Sequence, residues 1–105
     1  RFVPSGRAGR ERSVIVDYIL KNAMVLEDSR FRPADVAVQS GRIVSIAEDL
    51  ECLPGFTAID LHNAAVFPGF VDVHVHLREP GFSYKETVRT GTLAAARGGY
   101  AHVCP

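Results

Sequence analysis

The sequence of 105 residues predicts an α/β fold in two parts, a small β-rich domain followed by a single strand-helix-strand unit. Three observations indicate this arrangement. Short apolar runs separated by turn residues fill positions 13–69. An alternating strand pattern follows over 70–78 and leads into a helical pattern that ends at Gly98-Gly99, before a last apolar run. A strand, a helix and a second strand in this order imply parallel strands joined by a right-handed crossover.

The composition is that of an ordinary globular domain, with 47% hydrophobic residues, 23% charged residues and a formal net charge of zero. A neutral chain gives no electrostatic reason to expect nucleic acid or an anionic membrane as a partner. No apolar run reaches the ~18 residues of a membrane span and no signal-peptide pattern is visible, so a cytoplasmic protein is expected. Cys52 and Cys104 belong to no C-x-x-C pattern and are expected to be free thiols.

The first part of the chain reads as an arm followed by short strands. Residues 1–12 contain four arginines and no apolar periodicity, and we interpret them as a flexible arm or a cloning remnant. The short, even spacing of the strands in 13–69 suggests a small antiparallel sheet or sandwich. Its expected strands, 14–20, 23–26, 34–39, 42–47, 57–61 and 65–67, leave 27–33 as a polar loop. The clearest element is the hairpin across Ser40-Gly41, since glycine supplies the positive φ of a tight turn.

The most informative stretch is F-V-D-V-H-V-H-L-R at positions 70–78. As a strand, it places Asp72, His74, His76 and Arg78 on one face and the valines and leucine on the other. Two histidines spaced by two lie roughly 6.6 Å apart along a strand and point the same way, so both imidazoles can reach one metal ion at about 2.0–2.1 Å. The alternative is a half-buried strand whose polar face meets water.

The predicted helix begins at an S-x-x-E capping box, Ser83 to Glu86, and runs through about Arg97. Small residues on one face, including Gly91, would let it lie close to a sheet. The second strand is expected over 100–104, with His102 and Cys104 packed in the core. Two strands and one helix cannot cover a parallel sheet on both faces, so the chain looks like the start of something larger.

A combination of motifs resembles the amino-terminal part of dihydroorotases, members of the metal-dependent amidohydrolase superfamily. The motifs are P-G-F-V-D-V-H-V-H-L-R-E-P-G at 68–81, then E-T at 86–87 and A-A-A-R-G-G at 94–99. The resemblance implies a TIM-type (β/α)8 barrel, with 70–105 as its truncated first strand-helix-strand and 13–69 as a flanking β-sandwich-like domain. It also implies an enzyme, which hydrolyses the cyclic amide of (S)-dihydroorotate reversibly to N-carbamoyl-L-aspartate in de novo pyrimidine biosynthesis.

The resemblance also implies roles for particular residues. His74 and His76 correspond to the first two ligands of a centre of one or two zinc (Zn2+) ions, and Arg78 to the residue that binds the substrate carboxylate. The alternative for Arg78 is a surface arginine paired with Glu79 or Glu86. Asp72 is expected to orient its neighbours. The remaining ligands and the carboxylate that transfers the proton would follow Pro105, so no catalytic residue lies in the fragment and the chain alone is expected to be inactive.

Other readings stay open. Allantoinases and hydantoinases share the two histidines, although their substrates carry no carboxylate for Arg78. A non-catalytic homologue could act as a structural partner of another enzyme, and a self-sufficient inactive β module would leave Val73 and Val103 exposed. The expected partners are the small-molecule substrate and, in the assembly, further copies of the chain or another pyrimidine-pathway enzyme.

Overall fold

The computed structural model describes residues 15–105 as two compact units, the first ending at Val66 and the second comprising Phe67–Pro105. The predicted arm, residues 1–12, lies outside the described residues. Within residues 15–105, no helix has the length and apolar character needed to cross a bilayer.

The first unit is built on one five-stranded sheet. Its strands are β1 (Asp17–Glu27), β2 (Arg30–Gln39), β3 (Arg42–Ala47), β4 (Phe56–Asp60) and β5 (Ala65–Val66). Strands β1, β2 and β3 are antiparallel neighbours, whereas β4 and β5 both pair parallel to β1. The expectation of an antiparallel sheet is therefore wrong for β4 and β5. Residues 48–55 carry the chain from the end of β3 to Phe56, which pairs with Asp17 at the start of β1.

Two tight turns set the register of the antiparallel strands. The predicted hairpin across Ser40-Gly41 is confirmed, and both residues have positive φ, 51° and 74°. A second turn of this kind at Asp28-Ser29 joins β1 to β2, with φ values of 48° and 64°. The prediction of a loop over 27–33 is wrong because β2 begins at Arg30. Its first residues are mostly exposed, so their polarity resembles that of a loop.

Strand β1 also continues through Lys21-Asn22, where the sequence predicts a break between two strands. Asn22 adopts a φ of 55°, and the register with β2 shifts between Leu20 and Ala23. Lys21 and Asn22 lie opposite Asp35 alone, and the one extra residue is accommodated as a bulge, which bends a strand without ending it.

The core of the first unit is small and is formed by side chains of β1 and β2. Ala23, Val25, Ala34 and Val36 are buried there. Beside them lies a buried carboxylate, Asp35, which is 4% exposed. Its oxygens accept hydrogen bonds from the backbone N–H groups of Asn22 and Leu50, both at 2.9 Å, and an ion pair from Lys21 at 2.6 Å.

Asp35 stays ionised because its partners outweigh its burial. Burial raises the pKa of the Asp35 carboxyl, but the hydrogen bonds from Lys21 and from the two backbone N–H groups lower it further, and the net pKa is below its ordinary value. The carboxylate thus ties the bulge of β1 to the loop after β3.

The second unit contains the predicted strand-helix-strand: β6 (Phe70–Asp72), α1 (Val88–Arg97) and β7 (Tyr100–Val103), with β6 parallel to β7. The residue before β6, Gly69, lies close to β7, because a Cβ added at Gly69 would lie 2.7 Å from the Cβ of Ala101. The helix ends where the sequence predicts, at Arg97, and the N–H of Gly98 caps it by donating to carbonyls of the last turn.

The strand predicted over 70–78 is wrong beyond Asp72. The N–H of Cys104 donates to Asp72 O at 2.9 Å and that of Val75 to Cys104 O at 3.1 Å, and these are the last backbone bonds between the two segments. Residues 73–78 therefore form an irregular segment that continues from β6.

The predicted helix start at Ser83 is also wrong. Residues 83–85 form a turn, in which the N–H of Lys85 donates to Phe82 O at 2.8 Å. The helix begins after Thr87, whose hydroxyl accepts from Thr90 N while the Thr90 hydroxyl accepts from Thr87 N. This threonine pair forms the capping box in place of the predicted S-x-x-E.

Candidate functional site

The two histidines of the H-x-H motif lie together in the irregular segment after β6. The ring centroids of His74 and His76 are 5.0 Å apart and the rings are nearly perpendicular, at 89°. Both residues are exposed. Asp72 precedes them, and its carboxylate accepts from the backbone N–H of His74 at 3.1 Å. Asp72 thus holds His74 through its backbone N–H, and this contact leaves the imidazole of His74 available to a ligand.

The distance between the rings fits a shared metal ion. Two imidazoles bound to one tetrahedral zinc ion have their centroids about 5 Å apart. Within residues 15–105, no group of three or more His, Cys, Asp or Glu side chains is arranged to hold a metal. The described residues therefore offer two candidate ligands, and a complete zinc centre would require others.

A cavity of about 450 Å³ lies beside the histidine pair. It is lined by Val75, His76, Leu77, Arg78, Glu79, Pro80, Phe82, Val88 and Pro105. One of the two histidines and the candidate carboxylate-binding arginine therefore open into the same space. A cavity that combines an imidazole, a guanidinium and apolar walls is suited to a small anionic ligand.

Arg78 has an unusual backbone conformation and no ion pair. Its φ is 59°, and its carbonyl accepts from the N–H of Phe82 at 2.9 Å. Within the described residues, no carboxylate lies within ion-pair distance of its guanidinium, so the alternative of a surface pair with Glu79 or Glu86 is not formed. All the donors of the guanidinium fork are available to a ligand.

The sequence comparisons with known proteins find dihydroorotases. A family model described as dihydro-orotase-like matches residues 63–105. The dihydroorotase of Staphylococcus aureus is 51% identical over 87 residues, which is 83% of this chain and 20% of that protein. The dihydroorotase of Listeria innocua is 49% identical over 88 residues, again 83% of this chain and 20% of that protein.

This chain therefore resembles dihydroorotases. It spans about 20% of the length of the curated relatives it matches. Among solved structures, a D-hydantoinase matches with a TM-score of 0.72 and 33% identity over 84% of this chain and 19% of that chain. Dihydroorotases and hydantoinases are both amidohydrolases, so the sequence relatives and this structural relative belong to the same broad group of enzymes.

Glu79, which follows Arg78, lies in the loop that leads to helix α1. The structure adds a specific contact, because Oε2 of Glu79 accepts from the backbone N–H of Val88 at 2.6 Å, at the start of α1. The Glu79–Pro80 peptide bond is cis. This contact joins residues nine positions apart across an irregular loop, and no local sequence pattern signals it.

Two other expectations for the dihydroorotase-like unit are wrong. His102 and Cys104 were expected to pack in the core, but both are exposed, because within residues 15–105 nothing covers that side of β7. The prediction of free thiols is confirmed for Cys104 and Cys52. In the first unit, His62 has a φ of 48° and an exposed ring whose Nδ1 lies 3.5 Å from Asp60 Oδ1.

Proposed function

We propose that the full-length protein containing this chain is a dihydroorotase. It would hydrolyse the cyclic amide of (S)-dihydroorotate reversibly to N-carbamoyl-L-aspartate, in de novo pyrimidine biosynthesis. The observation that carries this proposal is the joint placement of His76 and Arg78 on one cavity, with His74 adjacent to His76 and no carboxylate of residues 15–105 paired with Arg78. The identity of about 50% to curated dihydroorotases supports it.

His74 and His76 would hold a zinc ion, in a centre of one or two ions whose other ligands come from outside the described residues. Bound zinc supplies a Lewis acid for the amide carbonyl and lowers the pKa of water, which makes a nucleophile available near neutral pH. The contribution of this chain is to orient the two imidazoles. The hydrogen bond from His74 N to the Asp72 carboxylate supports that orientation.

Arg78 would bind the carboxylate of dihydroorotate. A guanidinium matches a carboxylate with two parallel N–H···O bonds, which fixes the direction of the substrate as well as its position. The substrate amide would then face the side of the cavity formed by His76. The apolar walls, including Leu77 and Val88, would exclude water from the uncharged face of the ring.

Residues 70–105 would form the first strand-helix-strand of a TIM-type barrel, and the preceding domain would flank it. In such barrels the catalytic groups follow the carboxyl ends of the strands, and His74 to Arg78 follow the carboxyl end of β6. We propose a cytoplasmic enzyme that acts as a homo-oligomer or in a complex with another pyrimidine-pathway enzyme.

A second candidate function is hydrolysis of hydantoins, because a D-hydantoinase is the structural relative with a TM-score of 0.72. The two substrate classes differ at the group that Arg78 would contact. Dihydroorotate carries a carboxylate, whereas hydantoin has none. The identity of Arg78 therefore favours dihydroorotate.

The test is a comparison of substrates and arginine variants in the full-length protein. We expect hydrolysis of dihydroorotate with little activity on hydantoin. Arg78→Ala should raise KM for dihydroorotate about ten- to hundredfold, which corresponds to the loss of a charge-assisted bidentate contact. Arg89→Ala, on the exposed surface of α1, is the matched control and should leave KM unchanged. Full activity of Arg78→Ala on dihydroorotate would exclude the proposed role.

A further inference from the structure

The start of helix α1 is held by a residue of the cavity. The first N–H groups of a helix have no partner within the helix, and its amino terminus favours negative charge. Thr87 and Thr90 satisfy part of this need through their reciprocal capping bonds. The N–H of Val88 instead donates to Glu79, whose carboxylate reaches it from the loop after the histidines at 2.6 Å. Glu79 and Val88 both line the cavity.

The residue before Glu79 has a backbone conformation that needs support. Arg78 has a φ of 59°, in the left-handed region, where a residue other than glycine costs of order 1 kcal/mol or more. Such a conformation persists when its surroundings restrain it from both sides. The N–H of Phe82 restrains the carbonyl of Arg78, and the Glu79 side chain anchors the next residue to the helix.

We propose that Glu79 is a positioning residue for Arg78. Its bond to the Val88 N–H fixes the loop after Arg78 against helix α1, and this keeps the backbone of Arg78 at positive φ and its guanidinium in the cavity. Glu79 acts through the backbone and forms no ion pair with Arg78. The inference rests on the proposed function of Arg78 as the group that binds the substrate carboxylate.

The kinetic test uses Glu79→Ala and Glu79→Gln in the full-length protein. Alanine removes the acceptor, and we expect KM for dihydroorotate to rise about tenfold while kcat changes less than about twofold, because orientation of Arg78 is lost and the reacting groups remain. Glutamine retains an oxygen that can accept from the Val88 N–H, so it should restore KM to within about threefold of the parent value. An unchanged KM in Glu79→Ala overturns the inference.

A matched control separates positioning from loss of helix stability. Thr90→Ala removes one of the two reciprocal capping bonds of α1, the one that Thr87 N–H donates, and Thr90 does not line the cavity. It should lower the stability of the helix and leave KM unchanged. If Thr90→Ala raises KM as much as Glu79→Ala does, Glu79 acts only by capping the helix and the inference is wrong.

A double-mutant cycle tests the link to Arg78. In an Arg78→Ala background, Glu79→Ala should cause no further rise in KM, because nothing is left for it to position. Additive effects of the two substitutions would mean that they act independently, which contradicts the inference.

A measurement independent of activity distinguishes the two proposals. Hydrogen exchange at the Phe82 amide, which donates to Arg78 O, should become about tenfold faster in Glu79→Ala and stay unchanged in Thr90→Ala. If the parent protein does not hydrolyse dihydroorotate, the proposed function fails, and this exchange still decides whether Glu79 restrains the Arg78 loop. Unchanged exchange in Glu79→Ala overturns the inference whatever the substrate.

Discussion

Leu77 packs against Gly91, a position of helix α1 that has no side chain. A Cβ added at Gly91 would lie 2.7 Å from Cδ2 of Leu77 and 3.0 Å from the carboxyl carbon of Glu86. Leu77 is buried, at 9% exposure, and stands between His76 and Arg78 in the chain. The missing side chain therefore lets the helix approach the segment that carries the candidate site. Gly91 thus permits a close approach, although to the irregular segment after β6 and not to the sheet that the sequence predicts.

Replacing Gly91 with alanine should destabilise the chain. Alanine is favoured over glycine in a helix interior by about 1 kcal/mol. The new methyl group would overpack the contact with Leu77, which typically costs about 1–3 kcal/mol because the neighbouring side chain or backbone must shift. We expect a net loss of about 1 kcal/mol. The measurement is denaturant unfolding of the full-length protein that carries Gly91→Ala, compared with the parent protein.

The double variant Leu77→Ala/Gly91→Ala is the control for that contact. Truncating Leu77 opens the space that the new methyl needs, so the cost of Gly91→Ala should disappear in the Leu77→Ala background. An equal cost in both backgrounds would show that the contact with Leu77 is not its cause.

The buried carboxylate Asp35 should matter much more than its exposed neighbour Asp49, although both pair with Lys21. Asp35→Asn removes the negative charge that pairs with Lys21 and replaces one of the two accepting oxygens with an NH2 group. It should lower the free energy of unfolding by about 2–3 kcal/mol. Asp49 has a fully exposed side chain, and Asp49→Asn should change stability by less than about 0.5 kcal/mol. Equal losses in denaturant unfolding would contradict the assigned role of Asp35.

The stabilisation from Asp35 should disappear in acid. The pKa of Asp35 lies below its ordinary value in the folded chain, so its contribution is complete above the unfolded-state pKa of about 3.9. It is lost as pH falls through the lower pKa of the folded state. The difference in unfolding free energy between the parent chain and Asp35→Asn should therefore shrink as pH falls below about 4. A difference that is constant or grows on acidification would show that the carboxylate is not stabilised by its partners.

Local features of the fold were predictable from the sequence. The Ser40-Gly41 turn and the end of α1 depend on neighbouring residues, and a short pattern is enough to recognise them. The H-x-H spacing likewise brings the two rings together, even though the histidines lie beyond the strand and not within it.

Features that depend on distant partners were not predictable. Strand β6 ends at Asp72 although the alternating pattern continues to Arg78, and nothing within 70–78 signals this end. The parallel pairing of β4 with β1 depends on the path of the connecting loop, and the contact between Glu79 and Val88 depends on how a loop folds back. These misses share one physical cause, which is that long-range pairing overrides local preference.

Histidine variants should separate metal binding from general surface effects. In the full-length protein, His74→Ala and His76→Ala should each reduce bound zinc by more than half, since each removes one ligand from the proposed centre. His62→Ala is the matched control, because His62 is exposed and belongs to the first unit. Metal analysis of the purified proteins gives the comparison, and zinc retained in both site variants would show that the H-x-H pair does not bind it.

The most direct test of the account is dihydroorotate hydrolysis by the full-length protein before and after chelation, with hydantoin as the comparison substrate. The account predicts turnover of dihydroorotate that falls to background when a chelator removes the metal and returns when zinc is added. Turnover that resists complete removal of the metal, or turnover of hydantoin with none of dihydroorotate, would contradict it.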